Sequence, residues 1–205
     1  MSTVRRQDYE QTDGEAILAF LDQATHGFLG FTRPDGSPGM VAVNFVRVEQ
    51  TIYFHGAMEG EKMRSLEQDP RVVLMVADDF SLIPSFLRTG DLACPATQYY
   101  KAVVLRGRSR IVGTRAERAF ALQALMEKLQ PEGGYRPISA DDRRYRKSLD
   151  TTAVVAVPME EVTAKFKFGQ NLPRRVRAKV ASQLDAREGP RDAETVQTMK
   201  DICPF

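Results

Sequence analysis

Thr51–Val76, "TIYFHGAMEGEKMRSLEQDPRVVLMV", decides the fold. Its first five residues alternate as a half-buried strand does, and its last six are a second apolar strand. Between them Glu59 to Gln68 has helical spacing, with Met63 and Leu66 on one side. Asp69-Pro70 ends that helix, because the residue before a proline avoids the helical region. The result is a strand, a short crossover helix and another strand. The joint between the first two elements is unusual, since "FHGAMEGEK" places His55, Gly56, Ala57, Gly60 and Lys62 together.

Working back from Thr51, Glu49-Gln50 is a tight reversal and Met40 to Val48 is a strand. "RPDGSP" is a turn, with Pro34 and Gly36 at turn-favouring positions, and Phe28 to Thr32 is a further strand. These three strands form an antiparallel meander. Asp13 caps a preceding helix, Gly14 to Ala24, with Ile17, Leu18 and Leu21 on one face.

Working forward, "RVVLMVAD" is apolar on both faces and reads as a central or barrel-forming strand. Phe80 to Pro95 is irregular. "YYKAVVLRGRSRIV" is one long strand with a kink expected at Gly107. Thr114 and Glu117 make a capping box for a helix running to about Leu129. A loop covers 130–137, and a short basic helix follows Ser139. "TTAVVAVPMEEVTAKFKF" gives one or two last strands, broken near Pro158. Arg174 to Leu184 is a helix with a basic outer face, and Asp192 opens a final one. Six or seven mostly antiparallel strands with inserted helices suggest a small closed barrel.

The bulk numbers narrow the function. A chain of 205 residues, 42% hydrophobic and 27% charged, reads as an ordinary soluble globular protein. The formal net charge of +2 advertises neither nucleic acid nor membrane as a partner. Two cysteines, Cys94 and Cys203, lack the spacing of a disulfide framework or a zinc site. With two histidines, His26 and His55, a multi-histidine metal site is not expected, and the metal set is empty. The N-terminal stretch is polar and no run reaches the roughly 18 apolar residues of a membrane span, so a cytoplasmic location is the expectation.

The small residues Gly56, Ala57 and Gly60 let the backbone approach a ligand closely. The following helix offers unpaired N–H groups at its start, which attract anions, and Lys62 adds a charge in its first turn. A phosphate group satisfies all three features. A loop that merely needs small residues, beside a solvated lysine, satisfies them as well. Glu59 and Glu61 suit the start of a helix. His55 reads either as a hydrogen-bonded structural residue or as the sole candidate for chemistry. No nucleophile and orienting acid accompany it, so no hydrolytic triad is present and the catalytic set stays unknown.

"VAVNFVRVEQTIYFHGAMEGEKMRSLEQDPRVVLMV", followed by "CPATQYYKAVVLRGRSRIV", resembles the FMN-binding split-barrel superfamily, whose namesake is pyridoxamine 5′-phosphate oxidase. Within it the sequence is similar to flavoproteins related to nitroimidazole-resistance proteins. "AKFKFGQNLP" also resembles a motif of FMN-binding negative transcriptional regulators. The resemblance covers about Gly27 to Pro173. It implies a mainly β fold with helices, a six-stranded antiparallel split β-barrel that is homodimeric, with FMN at the subunit interface. Residues 1–172 would be the FMN-binding domain and 173–205 a C-terminal helical extension. In that pattern Lys62, beside Glu61, binds the FMN phosphate, and His55, Gly56 and Ala57 approach the phosphate and ribityl chain. Val41, Val43 and Asn44 line the ring, and Phe54 stands where the namesake carries a tyrosine. Tyr99, Tyr100 and Lys101 match the segment reaching the flavin of the other subunit. Ala102 departs from the serine of many relatives, a loss of one hydrogen bond worth roughly 1 kcal/mol.

The namesake reaction is not expected, because no histidine follows His55 to grip the vitamin. Lys165, Lys167, Gln170 and Asn171 are candidate contacts to an anionic or polar substrate, or else one wet face of a strand. The preferred class is a flavin-dependent reductase that moves electrons from NAD(P)H to a nitro-compound, quinone or other small acceptor. No G-x-G-x-x-G fingerprint is present, so a nicotinamide would bind transiently. The alternatives are a non-enzymatic FMN-binding regulator, or a haem- or deazaflavin-binding member of the superfamily with His55 as the haem ligand. Nucleic-acid binding would require a stronger basic footprint.

Overall fold

The computed structural model describes residues 4–88 and 92–205. Among the described residues eight strands form one sheet: β1 (His26–Thr32), β2 (Pro38–Val48), β3 (Thr51–Ala57), β4 (Arg71–Ile83), β5 (Thr97–Arg108), β6 (Arg110–Ile111), β7 (Thr152–Pro158) and β8 (Glu161–Lys167). Their order is β6-β7-β3-β2-β1-β4-β5-β8. The helices are α1 (Gly14–Gln23), α2 (Glu61–Gln68), α3 (Arg115–Leu129), α4 (Arg146–Thr151), α5 (Arg174–Arg187) and α6 (Asp192–Ile202).

The chain divides into two compact units. One combines residues 1–17, 77–103 and 163–205; the other combines 18–76 and 104–162. Strands β4, β5 and β8 each run through a boundary between them.

The second unit contains the meander. β1 pairs antiparallel with β2 through Leu29↔Val41 and Gly27↔Val43, and β2 pairs with β3 through Phe45↔Phe54. β7 lies on the far side of β3, with His55 opposite Val154 and Gly56 opposite Ala153. Leu29, Phe45, Ile52, Phe54 and Val155 are at most 1% exposed and make this unit's core. At 25 cal/mol per Å², each such side chain contributes on the order of 1.5–3 kcal/mol. Asp13 caps α1 as expected, its carboxylate accepting from Glu15 N at 2.9 Å. Thr114 caps α3 by accepting from Glu117 N at 3.2 Å. The box is only half made, because the Glu117 carboxylate turns to Arg110 instead, at 2.6 Å.

In the first unit α5 and α6 pack against each other and hold the end of β4. The 2%-exposed Asp192 accepts a hydrogen bond from Ser81 Oγ at 2.5 Å, from Gly189 N at 2.8 Å and from both Nε and Nη2 of Arg187. The Arg187 hydrogen bonds hold its pKa down at about 2.

Four expectations need correction. The strand beginning at Arg71 does not stop at Asp78 but runs to Ile83, so the stretch beyond Phe80 is only partly irregular; residues 89–91 of it lie outside the described residues. β4 also alternates over its first half, with Val72, Leu74 and Val76 buried and Val73 and Met75 exposed at 38% and 42%. The sheet has eight strands and not six. The long strand breaks at Ser109, whose N–H turns to Pro70 O, and not at Gly107. Gly107 serves another need: a Cβ there would stand 2.5 Å from the Pro158 carbonyl oxygen.

Candidate functional site

The crossover from β3 to α2 is set by local sequence. β3 leaves the sheet after Ala57, and Gly60 turns the chain with φ 127°, a backbone conformation that favours glycine. Gly60 has no side chain to cap α2, so no side-chain acceptor covers the first-turn N–H groups. Ser65 and Leu66 bury the far side of the helix. Glu61 does not reach back to the helix start but pairs with Arg33 Nε at 3.0 Å, an exposed pair worth under about 1 kcal/mol.

Lys62 is held over the Phe54 ring, its Nζ 5.2 Å from the centroid. A Cβ at Gly56 would lie 2.9 Å from that Nζ, so only glycine lets the ammonium rest against the strand backbone. Burial lowers the lysine's pKa, and among the described residues it has no ion pair. The His55 side chain is exposed, but the protein around it and then the Lys62 charge push its pKa down, so the neutral imidazole is favoured. A half-buried ammonium beside a glycine backbone and an uncapped helix start suits an oxyanion, so these residues fit a phosphate tail.

The other candidates fall in two groups. Val41, Val43 and Asn44 lie on β2 in the same unit as the crossover. Val43 is 6% exposed and belongs to the core, while Asn44 is exposed and donates to Thr25 O at 2.9 Å. Tyr99, Tyr100 and Lys101, on β5, lie in the first unit; so do Lys165 and Lys167, on β8, and Gln170 and Asn171 just after it. Tyr99 is 1% exposed, and Lys101 spans the rings of Phe80 and Phe166 at 5.3 and 5.4 Å. Gln170 is spent on the backbone, accepting from Phe168 N at 2.8 Å and donating to Phe166 O.

Lys165, Lys167 and Asn171 instead open onto a cleft of 540 Å³, which Arg5, Arg6 and Arg88 also line. Sequence reading missed those three arginines and Tyr9. A positive residue in a polar stretch carries no local signal of what it will face. A second cavity of 670 Å³, near Gly30, Arg71 and Glu161, lies in the other unit. The crossover residues line neither.

With this geometry in hand, the chain can be placed among known proteins. Residues 13–166 match the pyridoxamine 5′-phosphate oxidase family model, and the chain belongs to that family. None of the curated proteins compared matches it. Among solved structures it is similar to the flavocytochrome Anf3 from Azotobacter vinelandii, with 23% identity and a TM-score of 0.67 over 80% of this chain and 72% of that one. A candidate 5-nitroimidazole antibiotic resistance protein from Bacteroides thetaiotaomicron is 21% identical, with a TM-score of 0.64 over 76% of this chain and 85% of that one. An FAD- and haem-binding protein from Mycobacterium smegmatis is 20% identical, with a TM-score of 0.63 over 78% of this chain and 73% of that one. These likenesses are to the fold. No helix is long and apolar enough to cross a membrane among the described residues.

Proposed function

We propose that the protein is a cytoplasmic, homodimeric FMN-binding oxidoreductase that passes electrons from NAD(P)H to a small acceptor such as a nitro-compound or quinone. The observation that carries this reading is Lys62: an ammonium half-buried between Phe54 and Gly56, with no anionic partner among the described residues. Family membership and the flavin-binding proteins among the structural neighbours support it. So does an exposed apolar face on three adjacent strands, where Phe28 lies beside Met75 and Gly30 lies between Met40 and Val73. Phe28, Met40, Val73 and Met75 are 38–69% exposed, and a second copy of the chain is the natural cover for them.

In this reading Lys62 and the α2 N–H groups hold the phosphate, Gly56 and Ala57 leave room for the ribityl chain, and Val41 and Asn44 flank the ring. FMN held there would supply reversible two-electron chemistry between an NAD(P)H donor and the acceptor. Neutral His55 neither competes for the anion nor adds a charge beside it.

The purified protein is expected to carry or take up FMN and show its absorption bands, and anaerobic NADH or NADPH should bleach them. A colourless protein indifferent to added FMN would sink the reading. A Soret band would replace the flavin with haem. Bound flavin that neither donor bleaches would favour a regulator.

A further inference from the structure

The basic cleft of the first unit is a built site. It draws on three separated segments: Arg5, Arg6 and Tyr9; Arg88 with Cys94 to Tyr99; and Lys165 to Leu172. Among the described residues that line it, five side chains are cationic and none is a carboxylate. None of the five has an ion pair among the described residues. Arg88, Lys165 and Lys167 are instead held by neutral groups. Arg88 Nη1 donates to Pro95 O at 3.0 Å, and its Nε is buried with no partner. Lys167 Nζ donates to Thr97 Oγ1. Lys165 lies over the rings of Tyr9 and Tyr100, at 5.7 and 5.4 Å. Collecting like charges around one cavity without a counter-charge is costly, and burial plus Lys165, Arg6 and Arg88 lower the pKa of Lys167.

An independent observation comes from Tyr99. It is 1% exposed, and its Oη has no hydrogen-bond partner among the described residues although Tyr99 lines the cleft. The hydroxyl lies against Gly169, where φ is +80° and a Cβ would overlap it. Burial pushes its pKa up to about 12, so at neutral pH it is a donor with nothing to donate to. An unsatisfied buried hydroxyl costs about 1–3 kcal/mol. An oxyanion in the cleft would accept from Tyr99 and from Arg88 Nε while neutralising the five cations.

We infer that this cleft is an anion-binding site for a small molecule bearing a phosphate or carboxylate group, held by Lys165, Lys167, Arg88 and the Tyr99 hydroxyl. The site stands on its own residues and not on the flavin reading, since the crossover contributes none of its lining.

The test is a titration followed by backbone amide chemical shifts at constant ionic strength, with inorganic phosphate and, separately, acetate as probes. Amides of Thr97, Tyr99, Lys167 and Gly169 should move and saturate with at least one probe, and the stronger probe identifies the ligand group. Tyr99→Phe keeps the ring in the core and should weaken that affinity about tenfold; Lys167→Ala should weaken it tenfold or more. Shifts that never saturate, or the same affinity in both folded variants, would overturn the proposal. FMN is then added as a competitor. If it displaces the probe, the cofactor's own phosphate occupies the cleft, so the anion site stands and the role given to Lys62 falls.

Discussion

The crossover draws its cation and its glycines from one short stretch of chain, whereas the basic cleft gathers its five cations from three segments. In the crossover a single ammonium meets a sheet end and a helix start, and nearest-neighbour geometry does the positioning. In the cleft Lys165 and Lys167 are placed against Tyr9, Thr97 and Tyr100 from other segments. Arg5 lines the same cleft as Lys167, and the N-terminal segment is tied there by the Glu10–Lys165 β-bridge and by Gln11 N, which donates to Ala164 O at 3.0 Å. A locally coded site survives changes elsewhere in the fold, while an assembled one depends on the packing that assembles it.

That contrast can be broken, and the largest effect should come from Asp192. It anchors α6 and Arg187 to β4, in the unit that holds the cleft. Asp192→Ala leaves Arg187 without its partner and should cost about 3–5 kcal/mol in denaturant unfolding. It should also abolish phosphate shifts in the cleft. Because the folded-state pKa is lowered from 3.8 to about 2, the stabilisation is complete above about 4 and disappears as pH falls towards 2. A flat stability profile between those values would show that the carboxylate is not the anchor.

Lys62→Ala is the complementary perturbation. FMN affinity, followed by flavin fluorescence, should fall about tenfold to a hundredfold, or 1.5–3 kcal/mol, with unfolding stability nearly unchanged. Unchanged affinity would remove Lys62 from the site.

Gly107→Ala asks how tightly the second unit is packed. Its Cβ would stand 2.5 Å from Pro158 O, which is backbone and cannot swing aside. The expected cost is about 1–3 kcal/mol in thermal or chemical unfolding. Wild-type stability would mean that β7 gives way easily.

The smallest effect is at Lys128, whose ammonium donates to Leu21 O at 3.1 Å and sits 4.2 Å from the centre of the Phe45 ring. Burial lowers its pKa from 10.5 to about 8. The unfolded chain therefore holds the extra proton between those values, and this group makes stability rise with pH from about 8 to 10.5. Lys128→Met should change stability by less than about 1.5 kcal/mol at pH 7 and remove that rise. A rise of the same size in the variant would point to another group.

Much of this was legible in the residues themselves. The alternation from Phe28 to His55, the turn at Pro34 to Gly36 and the Asp13 and Thr114 caps are short-range signals, and each appears where the pattern put it. The break at Ser109 was not legible, because a hydrogen bond to Pro70, far along the chain, decides it. Nor was the exposed side of β4. Val73 and Met75 look like core residues until the packing leaves them outside.

The sequence by itself determined the strands, the helix caps and the glycine-lysine joint after β3, because these depend on dihedral preferences and on contacts a few residues apart. Only the tertiary structure decided that Arg88, Tyr99 and Lys167 share a cleft and that Tyr99 is left there without a partner. Those facts depend on which distant segments exclude water together, and no local pattern encodes them.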